Sequence, residues 1–225
     1  MKKISVFAVI VILAGVISFS SQAFGQSGSK VLMIPREGYS QDQDYMIKAE
    51  VGVMLVLLKN AGFKVDIATP SGPTSGLAIL GPTQKMEKTL RLADINVNNY
   101  VGVIMPCMAV GAFPGPPVSP ETVAIVKKAL ADAKPVAAAA NSSILLAEAG
   151  LLKGKKYAYW RDPLKTDENW KLTDPRFEGA IYSGPGVIQD GKIITSGVCP
   201  WIERAMGLPN NTVELTQTFI KAIPK

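Results

Sequence analysis

Glutamate and cysteine are the residues of this chain best suited to catalysis, because its 225 residues contain two cysteines and no histidine. Cys107 directly follows an apolar segment, and a thiolate at the end of a strand could act as a nucleophile. Glu50 shares one face of a predicted helix with Ile47, Val51 and Met54. A carboxyl buried there would have a raised pKa and could accept a proton. The alternative for Glu50 is a surface carboxylate that pairs with a neighbouring lysine.

A sharp strand-to-helix turn holds the nucleophile of many α/β hydrolases. Residues 135–156, PVAAAANSSILLAEAGLLKGKK, have this pattern, because an apolar strand leads straight into an amphipathic helix. The turn carries Ala140 and Asn141, and alanine has no nucleophilic atom. Ser142 and Ser143 are the nearest hydroxyls, but a serine nucleophile needs an adjacent base. We therefore expect Asn141 or Ser142 to cap the helix, whose free amides could also hold an anion.

The sequence gives no support for a metal or nucleotide site. Two separated cysteines without histidine are too few ligands for zinc. Neither a dinucleotide-binding G-x-G-x-x-G pattern nor a P-loop is present. Met105 and Met108 flank Cys107 and could bind copper(I), although filling the core is the ordinary role of methionine. We expect no metal and no cofactor.

The first 25 residues have the pattern of a secretory signal peptide. A basic start precedes an apolar run over residues 4–19, and Ala23 and Gly25 supply small residues for cleavage. We expect cleavage after Gly25, with Ala23 as the alternative, and one domain over residues 26–225 in the periplasm or outside the cell. An uncleaved membrane anchor is the alternative.

The net charge of +6 is spread over the chain, with a lysine cluster at residues 153–156. Aromatic side chains do not alternate with these lysines, so the pattern predicts a solvated surface and no nucleic-acid partner.

Apolar strands alternate with helices along the rest of the chain. Strands are predicted at residues 30–35, 63–69, 100–105 and 135–139, helices at 44–61, 85–92, 120–133, 142–149 and 212–222, and a hairpin at 187–196. Ser119 is expected to cap the helix that Pro120 begins. This order predicts an α/β fold, a three-layer sandwich with a mostly parallel central sheet covered on both faces. Ligands bind beyond the carboxyl ends of such strands, which here lead into residues 35–41, 106–109 and 140–143.

These segments resemble the ThiJ/PfpI family of the class I glutamine amidotransferase-like superfamily over most of the chain after residue 25. The resemblance rests on KNAGF at residues 59–63, VDIATPSG at 65–72, EAGLLKGK at 148–155 and DGKIITSG at 190–197, in this order and spacing. It implies a flavodoxin-like three-layer sandwich. The ATPSG stretch is closest to the branch that contains glyoxalases and protein-repair chaperones.

The resemblance also implies where the pocket lies. The family strand before the turn reads like AAICHG, so Ala140 and Asn141 stand where a reactive cysteine and often a histidine are found. The pocket glutamate matches Glu50, and the family's Pro-Gly-Gly is replaced by Pro106, Cys107 and Met108. The predicted pocket thus comprises Glu50, Pro106, Cys107, Met108, Ala140, Asn141 and Ser142.

The family loop that matches residues 195–200 lies beside this pocket, which implies that Cys199 is near Cys107. A disulfide between them, two free thiols and a catalytic thiol are the three alternatives. Trp160, Arg161 and Trp170 could cover the pocket, or could form ordinary surface contacts.

Taken together, we expect a secreted or periplasmic relative of this family without the usual nucleophile. It would be a pseudoenzyme that binds a small molecule or a protein partner, free of the membrane after signal cleavage. The alternative is an enzyme of the deglycase/glyoxalase or hydrolase type with relocated chemistry, in which Cys107 is the nucleophile and Glu50 the base. A structural role is the third reading, because family members commonly form homodimers.

Overall fold

The computed structural model of the protein describes residues 28–35, 43–74, 88–107, 119–166 and 173–224. The predicted signal peptide at residues 1–25 lies outside these ranges, as do Met108 and Trp170. Within the described ranges, no helix is long and apolar enough to cross a membrane.

In the described residues, a seven-stranded sheet forms the centre of the fold. Its strands are β1 (Lys30–Met33), β2 (Lys64–Thr69), β3 (Thr89–Arg91), β4 (Gly102–Met105), β5 (Val136–Ala139), β8 (Val187–Asp190) and β9 (Ile193–Ser196), and a separate pair is formed by β6 (Lys156–Tyr157) and β7 (Ile181–Tyr182). The strand order of the large sheet is β3-β2-β1-β4-β5-β9-β8. Its neighbouring strands are parallel, except for the antiparallel hairpin of β8 and β9. The predicted mostly parallel sheet and the predicted hairpin are both confirmed.

The helices of the described residues are α1 (Gln43–Met46), a π-helical turn (Ile47–Gly52), α2 (Val53–Asn60), α3 (Pro120–Ala131), α4 (Ser143–Glu148), α5 (Pro200–Met206) and α6 (Thr212–Ala222). Four predicted helices, at residues 44–61, 120–133, 142–149 and 212–222, begin and end close to these positions, whereas α5 was not predicted. The predicted cap of α3 is confirmed, since the Ser119 hydroxyl accepts a hydrogen bond from the backbone N–H of Thr122 at 3.2 Å.

Two hydrophobic layers cover the two faces of the sheet. Successive side chains of a strand point to opposite faces, and β1 shows this division. Val31 and Met33 belong to a buried cluster with residues of α2 and α6. Leu32 belongs to a second buried cluster with residues of α3 and α4. The three-layer sandwich follows from this alternation of apolar residues.

The predicted helix at residues 85–92 is wrong over its described part. Residues 89–91 form the edge strand β3, which pairs in parallel with β2 through Ile67 and Thr89. Leu92 then begins a short 3-10 turn, Leu92–Asp94. Pairing with β2 provides hydrogen-bond partners for the backbone groups of this short segment. Strand pairing in the tertiary structure therefore overrides a weak helical pattern in the sequence.

Candidate functional site

The carboxyl ends of β4, β5 and β9 lie side by side at one edge of the sheet. Cys107 follows β4, Ala140 follows β5, and Cys199 follows β9. Because these strands are parallel, segments far apart in sequence meet at this edge, as predicted.

The strand-to-helix turn is present at Ala140. This residue directly follows β5, begins a 3-10 turn (Ala140–Ser142) and has a φ of +43°. A positive φ is uncommon for a residue other than glycine and is characteristic of the strained turns found at functional sites. The methyl group of Ala140 is fully buried, so the turn has the shape of a nucleophile elbow with an inert side chain at its apex.

The prediction that Asn141 or Ser142 caps the following helix is wrong. Ser142 has a helical φ of −67° and ψ of −17°, whereas a capping residue needs an extended backbone to turn its oxygen toward the free amides. Its hydroxyl instead donates a hydrogen bond to the backbone carbonyl of Pro106. The side-chain oxygen of Asn141 accepts a hydrogen bond from the hydroxyl of Tyr159 at 2.9 Å. Both side chains therefore connect the turn to distant segments.

Glu50 is fully buried within the π-helical turn, so the alternative of a surface carboxylate is wrong. Its Oε2 atom accepts a hydrogen bond from the backbone N–H of Cys107 at 2.9 Å. No described residue donates a hydrogen bond to its Oε1 atom. Burial and the charge of Cys199 raise the pKa of Glu50 well above its ordinary value, against the smaller effect of the Cys107 amide. The site thus favours the protonated carboxyl.

The two cysteines meet beside Glu50 as free thiols that share a hydrogen bond. This contact raises the pKa of Cys107, which burial raises further, and lowers the pKa of Cys199. Backbone amides of Trp201 and Ile202 also stabilise the Cys199 thiolate, against the effect of its burial. The more acidic thiol of the pair is therefore Cys199. A disulfide between the two stays a prediction.

The Cys107 sulfur also accepts a hydrogen bond from the backbone N–H of Asn141. This contact places the sulfur directly against the turn whose apex is Ala140. Cys107 retains 8% of its surface exposed, while Glu50, Ala140 and Cys199 have none. Of these four residues, only Cys107, which follows β4, therefore keeps any exposed surface.

An aromatic segment borders the site and was only partly predicted. Trp160 and Arg161, named as covering residues, are half-buried, and the Arg161 guanidinium lies 4.8 Å from the Trp160 ring centroid. The preceding Tyr159, which holds Asn141, was missed. Its sequence signal is weak, because a tyrosine in an aromatic run usually only fills the core.

The arrangement offers a thiol pair and a protonated carboxyl, and it lacks a hydroxyl or thiol side chain at Ala140, the apex of the turn. Pro106, Cys107, Ala140, Asn141, Ser142 and Glu50 are brought together, while Met108 lies outside the described residues. In the described part of the chain, no group of three or more histidine, cysteine, aspartate or glutamate side chains is placed to hold a metal ion.

The sequence of this chain is similar to that of a known protein family and of one curated protein. The model of the DJ-1/PfpI family matches residues 41–203. The chain is 28% identical over 200 residues to an uncharacterized protein of Methanocaldococcus jannaschii, with 87% of this chain and 89% of that protein covered.

Solved structures show the same fold at low sequence identity. Rapid Encystment Protein 24 kDa of Francisella tularensis superimposes with a TM-score of 0.61 at 16% identity, over 88% of this chain and 100% of that chain. A ThiJ/PfpI domain protein from Brachyspira murdochii gives 0.57 at 16% identity, over 88% and 97%. DJ-1beta of Drosophila melanogaster gives 0.56 at 19% identity, over 87% and 90%. These likenesses confirm the predicted flavodoxin-like α/β fold.

Proposed function

We propose that this chain, which belongs to the DJ-1/PfpI family, is a secreted or periplasmic member without nucleophilic catalysis at the strand-to-helix turn, and that it uses the surrounding pocket for binding. The observation that carries the proposal is Ala140. It combines the positive φ of an elbow with a buried methyl group in place of a reactive atom. The elbow geometry is kept while its chemistry is absent.

The neighbouring groups do not replace a nucleophile at the turn. The Ser142 hydroxyl is buried and donates to the Pro106 carbonyl, and a serine nucleophile needs a base that accepts its proton. Glu50 favours its protonated form, which does not act as a base. Histidine, the commonest general base, is absent from the chain.

The binding part of the proposal rests on Asn141 and Trp160, the half-buried residues at the rim of the site. Tyr159 donates to the side-chain oxygen of Asn141 and so fixes the orientation of the amide. The side-chain amide nitrogen of Asn141 can then donate to a ligand. Trp160, whose ring centroid lies 5.8 Å from that of Tyr159, offers an apolar surface to the same ligand. This combination fits a small ligand with a polar acceptor group.

Turnover assays test the loss of catalysis. The protein lacking residues 1–25 is assayed with methylglyoxal and with glycated amino acids, next to Cys107→Ser, Glu50→Gln and a variant that combines Cys107→Ser, Cys199→Ser and Glu50→Gln. We expect no variant to differ from the wild type and no rate above the uncatalysed reaction. Turnover that survives in the combined variant would show a catalytic group elsewhere and overturn the proposal.

Native mass spectrometry tests the binding. Protein secreted by expressing cells is expected to retain a small-molecule mass that Asn141→Ala loses and that Asn98→Ala, at an exposed position far along the chain, retains. A wild-type protein without any retained mass, or the same mass in both variants, contradicts binding at this pocket.

Relocated thiol chemistry is the second candidate, with Cys107 as nucleophile and Glu50 as base. It is favoured by the position of the Cys107 sulfur against the turn. It predicts turnover that Cys107→Ser abolishes, together with rapid alkylation of a single cysteine at about pH 6. Without both results, loss of catalysis is the better account.

A further inference from the structure

The two cysteines of the chain form an isolated pair within its core. Their thiols share a hydrogen bond, and both belong to the same buried cluster on one face of the sheet. Cys107 follows β4 and Cys199 follows β9, and these two strands flank β5. The sheet therefore brings the two cysteines together although they are far apart in sequence. The chain has no third cysteine that could compete for either partner.

We propose that Cys107 and Cys199 are a reversible dithiol–disulfide couple that exchanges with low-molecular-weight disulfides, in which Cys107 meets the external disulfide and Cys199 closes the internal bond. This activity goes beyond the proposed binding function and does not depend on it, since neither the methyl group of Ala140 nor the side-chain amide of Asn141 takes part in the exchange.

Surface exposure indicates that Cys107 is the cysteine that meets the external disulfide. Cys107 retains 8% of its surface exposed, whereas Cys199 has none. Exchange begins when a thiolate reaches an external sulfur, so access decides which cysteine forms the mixed disulfide. Cys107 is the residue of the pair that reaches the surface, so the shorter approach to an external disulfide is on its side.

The hydrogen-bond donors around Cys199 indicate that this cysteine closes the internal disulfide. Its sulfur accepts hydrogen bonds from the Cys107 thiol and from the backbone amides of Trp201 and Ile202. These donors stabilise a thiolate within the core, which makes Cys199 the better attacking group on the mixed disulfide and the better leaving group in the reverse reaction.

Glu50 is a positioning residue for the pair. Its carboxyl holds the backbone amide of Cys107 at 2.9 Å, which fixes the start of the segment that carries the sulfur. In its protonated form it adds no negative charge beside the Cys199 thiolate, so the thiolate is not repelled.

The exchange balances in two steps. The reacting form of the pair is the one in which Cys199 is a thiolate that has released its proton to water. In the first step, the Cys107 proton passes to the Cys199 thiolate, the Cys107 sulfur bonds to one sulfur of the external disulfide, the external S–S bond breaks, and one thiolate leaves. In the second step, Cys199 gives that proton to the departed thiolate and its sulfur attacks the Cys107 sulfur. The Cys107–Cys199 bond forms as the bond from Cys107 to the external sulfur breaks, and the second external thiolate leaves and takes up a proton from water. The protein loses two electrons, which reduce the external disulfide to two thiols.

Equilibration with glutathione tests the couple. The purified protein is incubated in buffers of varied reduced-to-oxidised glutathione ratio, the exchange is stopped with acid, the protein is denatured and alkylated with excess N-ethylmaleimide near pH 7, and its intact mass is measured. We expect a single transition from two alkylated cysteines to none, with the protein mass lowered by the two hydrogen atoms lost. Two free thiols at every ratio would overturn the proposal.

Two serine variants test the assignment of roles. Cys199→Ser is expected to accumulate a glutathione adduct at Cys107, because the closing thiol is gone. Cys107→Ser is expected to remain free of adduct, because Cys199 is buried. The opposite pattern, or equal adducts in both folded variants, would overturn the roles. Circular dichroism establishes which variants fold. If one does not, peptide mapping of the mixed disulfide trapped early in wild-type protein decides, with an adduct on Cys199 counting against the proposal.

Discussion

The carboxyl group of Glu50 accepts a hydrogen bond from the backbone N–H of Cys107 at 2.9 Å, across 57 positions of sequence. This contact joins the π-helical turn before α2 to the end of β4. π-Helical turns within α-helices occur frequently at functional sites. Here the turn carries the carboxyl that holds the cysteine segment.

Replacement of Glu50 by glutamine is expected to remove a pH dependence of stability. The folded protein raises the pKa of Glu50 above its ordinary value of 4.5, mainly by burial. Ionisation therefore costs more in the folded chain, so the stabilising effect of the protonated form is complete below pH 4.5 and is lost as the pH rises toward the raised pKa. Urea unfolding of wild-type protein and Glu50→Gln measures this. The free energy of unfolding of the variant should decline less over that interval, and equal declines would contradict the buried carboxyl.

Glycine at position 140 is expected to be tolerated better than glycine at position 139. Ala140 has a φ of +43°, and a positive φ costs an L-residue roughly 1–2 kcal/mol that glycine avoids. Ala139 is equally buried but has an extended φ of −89°, where glycine only adds flexibility and removes a methyl group. Chemical unfolding should show Ala140→Gly about 1 kcal/mol more stable than Ala139→Gly. The reverse order would argue against the strained turn.

Alanine at position 197 is expected to disturb the loop that carries Cys199. A Cβ atom on Gly197 would lie 2.5 Å from the Pro185 carbonyl oxygen and 2.7 Å from the Tyr159 carbonyl carbon, and backbone atoms yield poorly to such contacts. We expect Gly197→Ala to lower the free energy of unfolding by about 1–3 kcal/mol. Gly186→Ala is the matched control, because a Cβ atom there meets nothing within 4 Å. Comparable unfolding midpoints for the two variants would contradict the close packing.

Replacement of Tyr159 by phenylalanine is expected to lower the free energy of unfolding and to release the side chain of Asn141. It removes the hydrogen bond that Tyr159 donates to Asn141 at 2.9 Å and should cost about 1 kcal/mol of unfolding free energy. Tyr45→Phe, which loses a longer hydrogen bond of 3.3 Å to the Pro200 carbonyl, serves as the comparison and should cost less. A Tyr159→Phe variant as stable as the wild type would mean that the hydroxyl does not hold Asn141.

The sequence alone was sufficient to predict the architecture. Apolar residues at helical and strand spacing, with glycine and proline between them, predicted the parallel strands, the hairpin and the cap at Ser119, because these patterns arise from local geometry. The helix predicted at residues 85–92 was wrong at its described end because that segment pairs with β2. A three-residue edge strand is too short to show the alternation of apolar and polar residues that would predict its pairing with β2.

Composition also determined part of the chemistry, since a chain without histidine has no imidazole base wherever its residues come to lie. Tertiary structure decided the rest. In the folded chain, the side chain of Asn141 bonds to Tyr159 and that of Ser142 to Pro106, so neither caps the helix. The fold also places Cys107 against both Glu50 and Cys199. These contacts join segments far apart in sequence, and the direction and acidity of a buried polar group depend on which partners the fold brings to it.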